Sequence, residues 1–140
     1  MSDQKSILII DDDLGISESL SIFLRGEDFE VHTARTGEEG LALCREIRPD
    51  LTICDLIMPG QHGYQTITEI KRIDLQVKII AISGGTPQLG QQAHIGTTPE
   101  AMLAWSSQFG ADVVLLKPFD PSELLSKILQ LIPLKSCSRK

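Results

Sequence analysis

Four apolar runs in this sequence end directly at side chains that can do chemistry. The groups are the carboxylates of Asp11-Asp12-Asp13 after residues 7–10, the carboxylate of Asp55 after residues 51–54, the hydroxyl of Ser83 after residues 77–82, and the amine of Lys117 after residues 113–116. Carboxylate oxygens bind hard divalent cations, and a lysine or hydroxyl nearby can stabilise a phosphoryl group during its transfer. An aspartate can itself be the nucleophile and form an acyl phosphate.

Carboxylates gathered at one place repel each other unless a cation or a proton intervenes. Two of them about 4 Å apart repel by roughly 1 kcal/mol in water and by roughly 4 kcal/mol at an effective dielectric constant of 20. Lys117 offsets only one charge. Because Mg²⁺ prefers one or two protein carboxylates together with phosphate oxygens, the residues favour a magnesium site for phosphoryl transfer. Each residue alone is equally typical of a turn, a cap or a solvated charge, so the hypothesis depends on their common placement.

The elements that carry these residues alternate between strands and helices. The apolar runs are mostly continuous, which is typical of strands that are covered on both faces. Residues 30–34 form a weaker fifth strand, nearer an edge. Apolar stripes at helical spacing predict five helices. The stripes are Ile16, Leu20, Phe23 and Leu24; Leu41, Cys44 and Ile47; Ile67, Ile70 and Ile73; Met102, Trp105 and Phe109; and Leu124, Leu125, Ile128 and Ile132. This order predicts an α/β fold with a parallel sheet, whose sites lie beyond the carboxyl ends of the strands.

Capping residues predict where three of the helices begin. Asp13 is expected to cap a helix that starts at Leu14. Thr98 is expected to cap the fourth helix, and Pro99 suits its first position. Asp120 is expected to cap the last helix in a capping-box arrangement.

Length and composition indicate one domain. The 140 residues divide into a core of about residues 6–132, a glycine-rich insertion over about residues 84–97, and a short tail at 133–140. The net charge of −6 argues against binding to nucleic acid or to an anionic membrane. The N-terminal apolar run is only four residues long, so we expect neither a signal peptide nor a membrane span.

The three cysteines also bear on the cellular location of the protein. Cys44, Cys54 and Cys137 are an odd number and lack the spacing of metal ligands. Cys44 and Cys54 lie in patterned segments, so we expect reduced thiols in the core. Reduced thiols predict a cytoplasmic location.

The motifs in this order resemble those of the receiver domain of two-component response regulators, the CheY-like family. The resemblance rests on the first strand followed by Asp11-Asp12, and then on LTICDLIMPGQHG, IIAISGG and VLLKPF, and it extends from about Ile7 to Ile132. It implies a single-domain, doubly wound (βα)5 sandwich of the flavodoxin-like type. The five-stranded parallel sheet would have the strand order 2-1-3-4-5.

The resemblance also implies a role for each site residue. Asp55 would be the phosphoacceptor, and a histidine kinase or a histidine phosphotransfer protein would be the donor. Asp12 and Asp55 would bind Mg²⁺ directly, Asp11 would help through water, and the backbone carbonyl of Ile57 would be a further ligand. Lys117 would pair with the phosphoryl oxygens.

The family's known behaviour implies a signalling switch. Ser83 would move to hydrogen-bond the phosphoryl group, and the face made by the fourth helix and the fifth strand would change to control a partner protein. The chain would be no enzyme beyond promoting its own phosphorylation and dephosphorylation. We expect a monomer or weak dimer that contacts neither nucleic acid nor membrane directly.

Three features depart from the family pattern. Val114 stands where an aromatic switch residue is frequent, three positions before Lys117. Ile57 and Gly85 have no side-chain group that could orient an attacking water, which predicts slow self-dephosphorylation. The insertion at residues 84–97 is either a surface for a specific partner or a passive extension.

Other functions fit these residues less well. A haloacid-dehalogenase-like phosphatase would use Asp11 as its nucleophile, but Leu14-Gly15 replaces the expected Gly-Thr and Asp55 has no role in it. A flavin-binding module would need a phosphate-binding first turn, where this chain has Asp11-Asp12-Asp13. A receiver that serves as a scaffold without phosphorylation remains an open alternative.

Overall fold

The computed structural model describes residues 4–58, 61–83, 110–117 and 119–133, with the backbone alone at residues 57, 58, 61 and 62. Strands and helices alternate along the chain. The strands are β1 (Ser6–Ile10), β2 (Glu30–Ala34), β3 (Leu51–Asp55), β4 (Ile57–Met58), β5 (Gln61–His62), β6 (Lys78–Ser83) and β7 (Val113–Leu116). The helices are α1 (Leu14–Gly26), α2 (Gly37–Ile47), α3 (Gly63–Ile73) and α4 (Pro121–Leu131).

Five of the strands form one parallel sheet in the order β2-β1-β3-β6-β7. Counted along the chain, these are strands 2-1-3-4-5, so the doubly wound, flavodoxin-like order is confirmed. The weak strand β2 lies at an edge, as expected. The sequence patterns did not predict β4 and β5, which form a two-residue antiparallel hairpin between β3 and α3.

The sheet is covered on both faces, which explains the continuous apolar runs. In β1, Ile7 and Ile9 pack into one buried cluster, while Leu8 and Ile10 pack into the other. Residues of α1 and α4 belong to the first cluster, and residues of α2 and α3 belong to the second. Alternate residues of a strand point to opposite faces, so a strand buried on both sides needs apolar residues at nearly every position.

Asp13 caps α1 as predicted, since its side chain accepts a hydrogen bond from the backbone N–H of Ile16. The prediction for Asp120 is only half right. This residue stands at the N-cap position of α4, but in the described part of the chain its side chain makes no capping hydrogen bond. Its backbone carbonyl accepts from Leu124 N at 3.1 Å, the first regular bond of the helix, and also from Glu123 N at 2.9 Å, a donor that a capping carboxylate would use.

Several expectations lie outside the described residues. They concern the helix that begins at Thr98, the insertion at residues 84–97, Gly85, Cys137 and most of the tail. Cys44 and Cys54 are buried free thiols, as expected. Within the described ranges, no helix is both long enough and apolar enough to cross a membrane.

Candidate functional site

Backbone hydrogen bonds carry the sheet up to the predicted site residues. These bonds run from Asp11 N to Ala34 O (3.0 Å), from Leu56 N to Ile82 O (2.8 Å) and from Lys117 N to Ser83 O (2.8 Å). Asp55 and Ser83 are the last residues of β3 and β6, not the first residues beyond them as the sequence patterns suggested. The backbone at the site is therefore as firmly placed as the strands themselves.

Three of the four acids come together at this edge of the sheet. One carboxylate oxygen from each of Asp11, Asp12 and Asp55 lies within 4.8 Å of the other two. Asp11 is only 1% exposed and Asp55 only 4%, whereas Asp12 is open to solvent. Two buried carboxylates thus lie beneath one that a ligand can approach from solution.

Lys117 reaches both buried acids. Its Nζ lies 3.2 Å from Asp55 Oδ2 and 3.4 Å from Asp11 Oδ2. Burial alone would lower the pKa of Lys117, but the negative charges of Asp55 and Asp11 outweigh it and raise this pKa above its usual value. The protonated amine therefore contributes its full stabilisation below pH about 10.4 and loses it only as the pH rises through the raised pKa.

Asp13, the fourth acid, makes different contacts. The backbone N–H of Asp13 donates to Asp11 Oδ1 at 2.9 Å, and the carboxylate of Asp13 accepts from Ile16 N at 3.2 Å. Asp11 is thus fixed through one oxygen by the turn and through the other by Lys117. Asp13 belongs to the cap of α1 and not to the acidic cluster.

The donor set fits a divalent metal. Asp11, Asp12 and Asp55 carry three negative charges when ionised, and Lys117 carries one positive charge, which leaves two negative charges. All three donors are hard oxygens, the kind of ligand that Mg²⁺ prefers over softer ligands. The charge and the chemistry of this cluster therefore suit Mg²⁺.

Ser83 ends β6, the strand next to β3, and Ile57 lies two residues after Asp55. Ser83 is 2% exposed, and its carbonyl accepts the backbone N–H of Lys117. Ile57 lies in β4, where its backbone pairs with His62. The metal-binding role of the Ile57 carbonyl stays a prediction, as does the movement of Ser83.

Gly63, the first residue of α3, belongs to the site although the sequence motif assigned it no role. A Cβ at this position would overlap the backbone carbonyl oxygen of Asp55 and lie 2.6 Å from Leu56 Cα. Only glycine lets the helix approach the backbone of β3 so closely. The contact joins residues eight apart across a hairpin, so sequence periodicity does not reveal it.

Cys54 also contacts the backbone where α3 approaches the end of β3. Its Sγ lies 3.5 Å from Asp55 O and 4.0 Å from Gly63 O. Burial raises the pKa of this thiol strongly, and the charges of Asp55 and Asp11 raise it further. Cys54 is therefore an inert core residue, in line with the prediction of reduced thiols.

The fold and the site define a doubly wound α/β protein that has an acidic cluster and a lysine at the carboxyl edge of its sheet. The family model described as the response regulator receiver domain matches residues 7–129. The chain belongs to this family, whose members are signalling proteins of two-component systems.

Two curated relatives are about twice as long as the region that matches this chain. It is 34% identical over 125 residues to the DNA-binding response regulator MtrA of Mycobacterium tuberculosis, a match that covers 89% of this chain and 49% of MtrA. It is 30% identical over 122 residues to the cell cycle response regulator CtrA of Brucella ovis, with 87% and 47% covered. The chain spans about half the length of these relatives. MtrA is named as DNA-binding, so the relatives do not support the expectation of no nucleic-acid contact.

Solved structures agree with the observed topology. A CheY-like receiver domain protein from Methanospirillum hungatei superposes with a TM-score of 0.77 at 30% identity, covering 91% of this chain and 93% of that one. The chemotaxis response regulator CheY4 of Vibrio cholerae gives 0.77 at 26% identity, covering 92% and 99%. The receiver fold is thereby shown for the part of the chain that the structure describes.

Replacing Gly63 by alanine is expected to destabilise the protein, because the new Cβ meets backbone that cannot rotate away. We expect a loss of about 1–3 kcal/mol in the free energy of unfolding, measured by urea denaturation. Gly26→Ala is the matched control, since a Cβ there meets nothing within 4 Å. It should be neutral or stabilise by up to about 1 kcal/mol. Equal effects of the two substitutions would contradict the close approach at Gly63.

Proposed function

We propose that this chain is a phosphorylation-dependent signalling switch whose phosphoacceptor is Asp55. The donor is a phosphohistidine on a sensor histidine kinase or on a histidine phosphotransfer protein. One observation carries the proposal: the buried carboxylate of Asp55 lies 3.2 Å from Lys117 Nζ, within a cluster that also contains Asp11 and Asp12. Membership of the receiver family supports it.

The transfer is an in-line displacement at phosphorus. A carboxylate oxygen of Asp55 forms the new O–P bond while the P–N bond to the donor imidazole breaks, and the imidazole leaves with the electron pair. Lys117 Nζ lies beside Asp55 Oδ2 and neutralises charge on the phosphoryl oxygens. The hydroxyl of Ser83, at the end of the neighbouring strand, donates to one of these oxygens.

The acidic residues hold the metal in this proposal. Asp12 and Asp55 bind Mg²⁺ directly, Asp11 acts through water, and the carbonyl of Ile57 is a further ligand. The metal supplies positive charge at the transferring group. The reacting group belongs to the chain itself, so the protein promotes its own phosphorylation and dephosphorylation and turns over no separate substrate.

Asp11 is held by two partners, which argues against its use as the nucleophile of the phosphatase alternative. It is 1% exposed, its Oδ1 accepts from Asp13 N, and its Oδ2 pairs with Lys117. A nucleophile must approach the phosphorus atom, whereas Oδ1 of Asp11 is engaged by the turn and Oδ2 by Lys117.

We propose that the output is contact with a protein and that the chain works in the cytoplasm as a monomer or weak dimer. The net charge of −6 disfavours direct contact between this domain and nucleic acid. MtrA is named as DNA-binding and is about twice as long as the matched region. A comparable output in this case would require sequence beyond the receiver domain.

Incubation with acetyl phosphate and Mg²⁺ tests the phosphoacceptor. Mass spectrometry of the peptides should find one phosphoryl group on Asp55 and none in the Asp55→Asn variant, because the amide is not a nucleophile for this transfer. Labelling at Asp11 would support the phosphatase, and no labelling at all would support the phosphorylation-independent scaffold.

Mg²⁺ affinity is expected to depend on Asp12 and not on Asp13, although the two acids are adjacent. Titration calorimetry without a phosphodonor should show a loss of roughly tenfold or more for Asp12→Ala, because one charged ligand disappears. Asp13→Ala should bind Mg²⁺ like the wild type and lose about 1 kcal/mol of stability through the lost helix cap. Unchanged binding in Asp12→Ala would remove Asp12 from the metal site.

Self-dephosphorylation is expected to be slow and to accelerate when a polar side chain replaces Ile57. Ile57→Asn adds an amide that can orient a water for attack on the acyl phosphate, so its half-life should shorten several-fold. Ile57→Val keeps the position apolar and should retain the wild-type rate. Decay is followed by mass spectrometry after the donor is removed, and equal rates in both variants would refute the role of this position.

A further inference from the structure

Asp112, the residue before β7, is hydrogen-bonded twice to one residue of β6. Its backbone N–H donates to Ile79 O at 2.8 Å, and its Oδ2 accepts from Ile79 N at 2.8 Å. The carboxylate thus accepts a backbone N–H at the position where β7 begins to pair with β6. The start of β7 is fixed by a side chain as well as by the ladder.

Lys71, near the end of α3, holds this carboxylate from the other side. Its Nζ lies 3.9 Å from Asp112 Oδ2 and donates to Val77 O at 2.6 Å. Its stem lies against Gly110, where an added Cβ would be 2.6 Å from Lys71 Cγ. Gly110 has φ +120°, a conformation that residues with a side chain disfavour. Glycine is therefore the residue that fits at this position beside Lys71.

The restraint matters because β7 is short and lies at an edge of the sheet. It has four residues, and within the described sheet it pairs only with β6. The pairing runs from Val113 with Ile80 to Leu116 with Ser83, and Lys117 follows directly. A shift by one residue would move Lys117 by about 3.3 Å and turn the apolar residues of β7 to the wrong faces.

We propose that Asp112, held by Lys71, is a register lock that positions Lys117 for phosphoryl transfer to Asp55. The inference rests on the proposed function of that site. Asp112 lies five residues before Lys117, which is about 16 Å along the strand at about 3.3 Å per residue. It is too far away to contact the reacting group and is therefore a positioning residue. It acts by keeping Nζ within reach of two carboxylates whose own strands are fixed independently.

The same arrangement occurs at β3 and provides a matched control. Asp50 precedes β3, its backbone N–H donates to Ser6 O at 2.9 Å, and its Oδ2 accepts from Ser6 N at 2.8 Å. Unlike β7, however, β3 is paired on both sides, with β1 and with β6. Two ladders fix its register, so the loss of the Asp50 carboxylate should leave the site in place.

The test measures the rate of Asp55 phosphorylation by acetyl phosphate with saturating Mg²⁺, at a temperature where circular dichroism shows every variant to be folded. Asp112→Ala should be roughly fivefold slower, the factor that corresponds to one lost hydrogen bond. Asp112→Asn keeps an oxygen acceptor for Ile79 N and should recover most of the rate. Asp50→Ala should react like the wild type. Should Asp112→Ala fail to fold, Asp112→Ser, which is too short to reach Ile79 N in the same way, takes its place.

A double substitution separates positioning from a general loss of stability. In a Lys117→Met background, Asp112→Ala should cause no further slowing, because the group that it positions is gone. The lock is refuted if Asp112→Ala reacts as fast as the wild type, if it slows the Lys117→Met variant by the same factor, or if Asp50→Ala is equally slow. Absence of label on Asp55 in the wild type would instead overturn the proposed function.

Discussion

The constraint on which this structure depends is the crowding of three carboxylates around a single amine. Asp11 and Asp55 are almost fully buried, Asp12 is exposed beside them, and Lys117 is the cation that reaches the buried pair within the described residues. Burial strengthens the repulsion between such charges. The amine therefore stabilises the buried pair, and the charge that remains on the cluster matches that of one divalent ion. A bound divalent cation would offset this local excess of negative charge.

The rest of the fold keeps this excess of charge at a fixed position. Because the sheet is covered on both faces, its strands are held by packing from two sides, and the carboxyl ends of β1 and β3 are held by neighbours on either side. The turn after β1 fixes Asp11 through the N–H of Asp13, and Gly63 lets α3 pack directly on the backbone of Asp55. Asp11 and Asp55 thus lie on a well-packed part of the described structure, where movement can do little to relieve electrostatic repulsion.

Local patterns in the sequence were sufficient to predict the strands, the two-sided burial and the residues at the strand ends, because period and composition are local properties. They were insufficient where a contact joins distant segments. Neither the two hydrogen bonds between Asp112 and Ile79 nor the close approach of Gly63 to Asp55 leaves a periodic signal in the sequence. The hairpin of β4 and β5 has strands too short to show alternation. For Asp120 the residue type indicated the correct position, but the N–H of Glu123, which its side chain was expected to bind, donates to its backbone carbonyl instead.

The placement of the amine differs from that of the acids in a way that bears on signalling. Asp11 follows β1 and Asp55 ends β3, both central strands, whereas Lys117 follows β7, an edge strand that is paired by a single ladder and bonded at its start through Asp112. A phosphoryl group on Asp55 would add negative charge next to Nζ and strengthen the attraction of β7 toward the site. The strand that leads to this amine is thus one that the sheet restrains on one side only. Val114 lies in this strand where an aromatic residue is frequent in the family, so the change in charge would be transmitted here by the position of the strand and not by rotation of a ring.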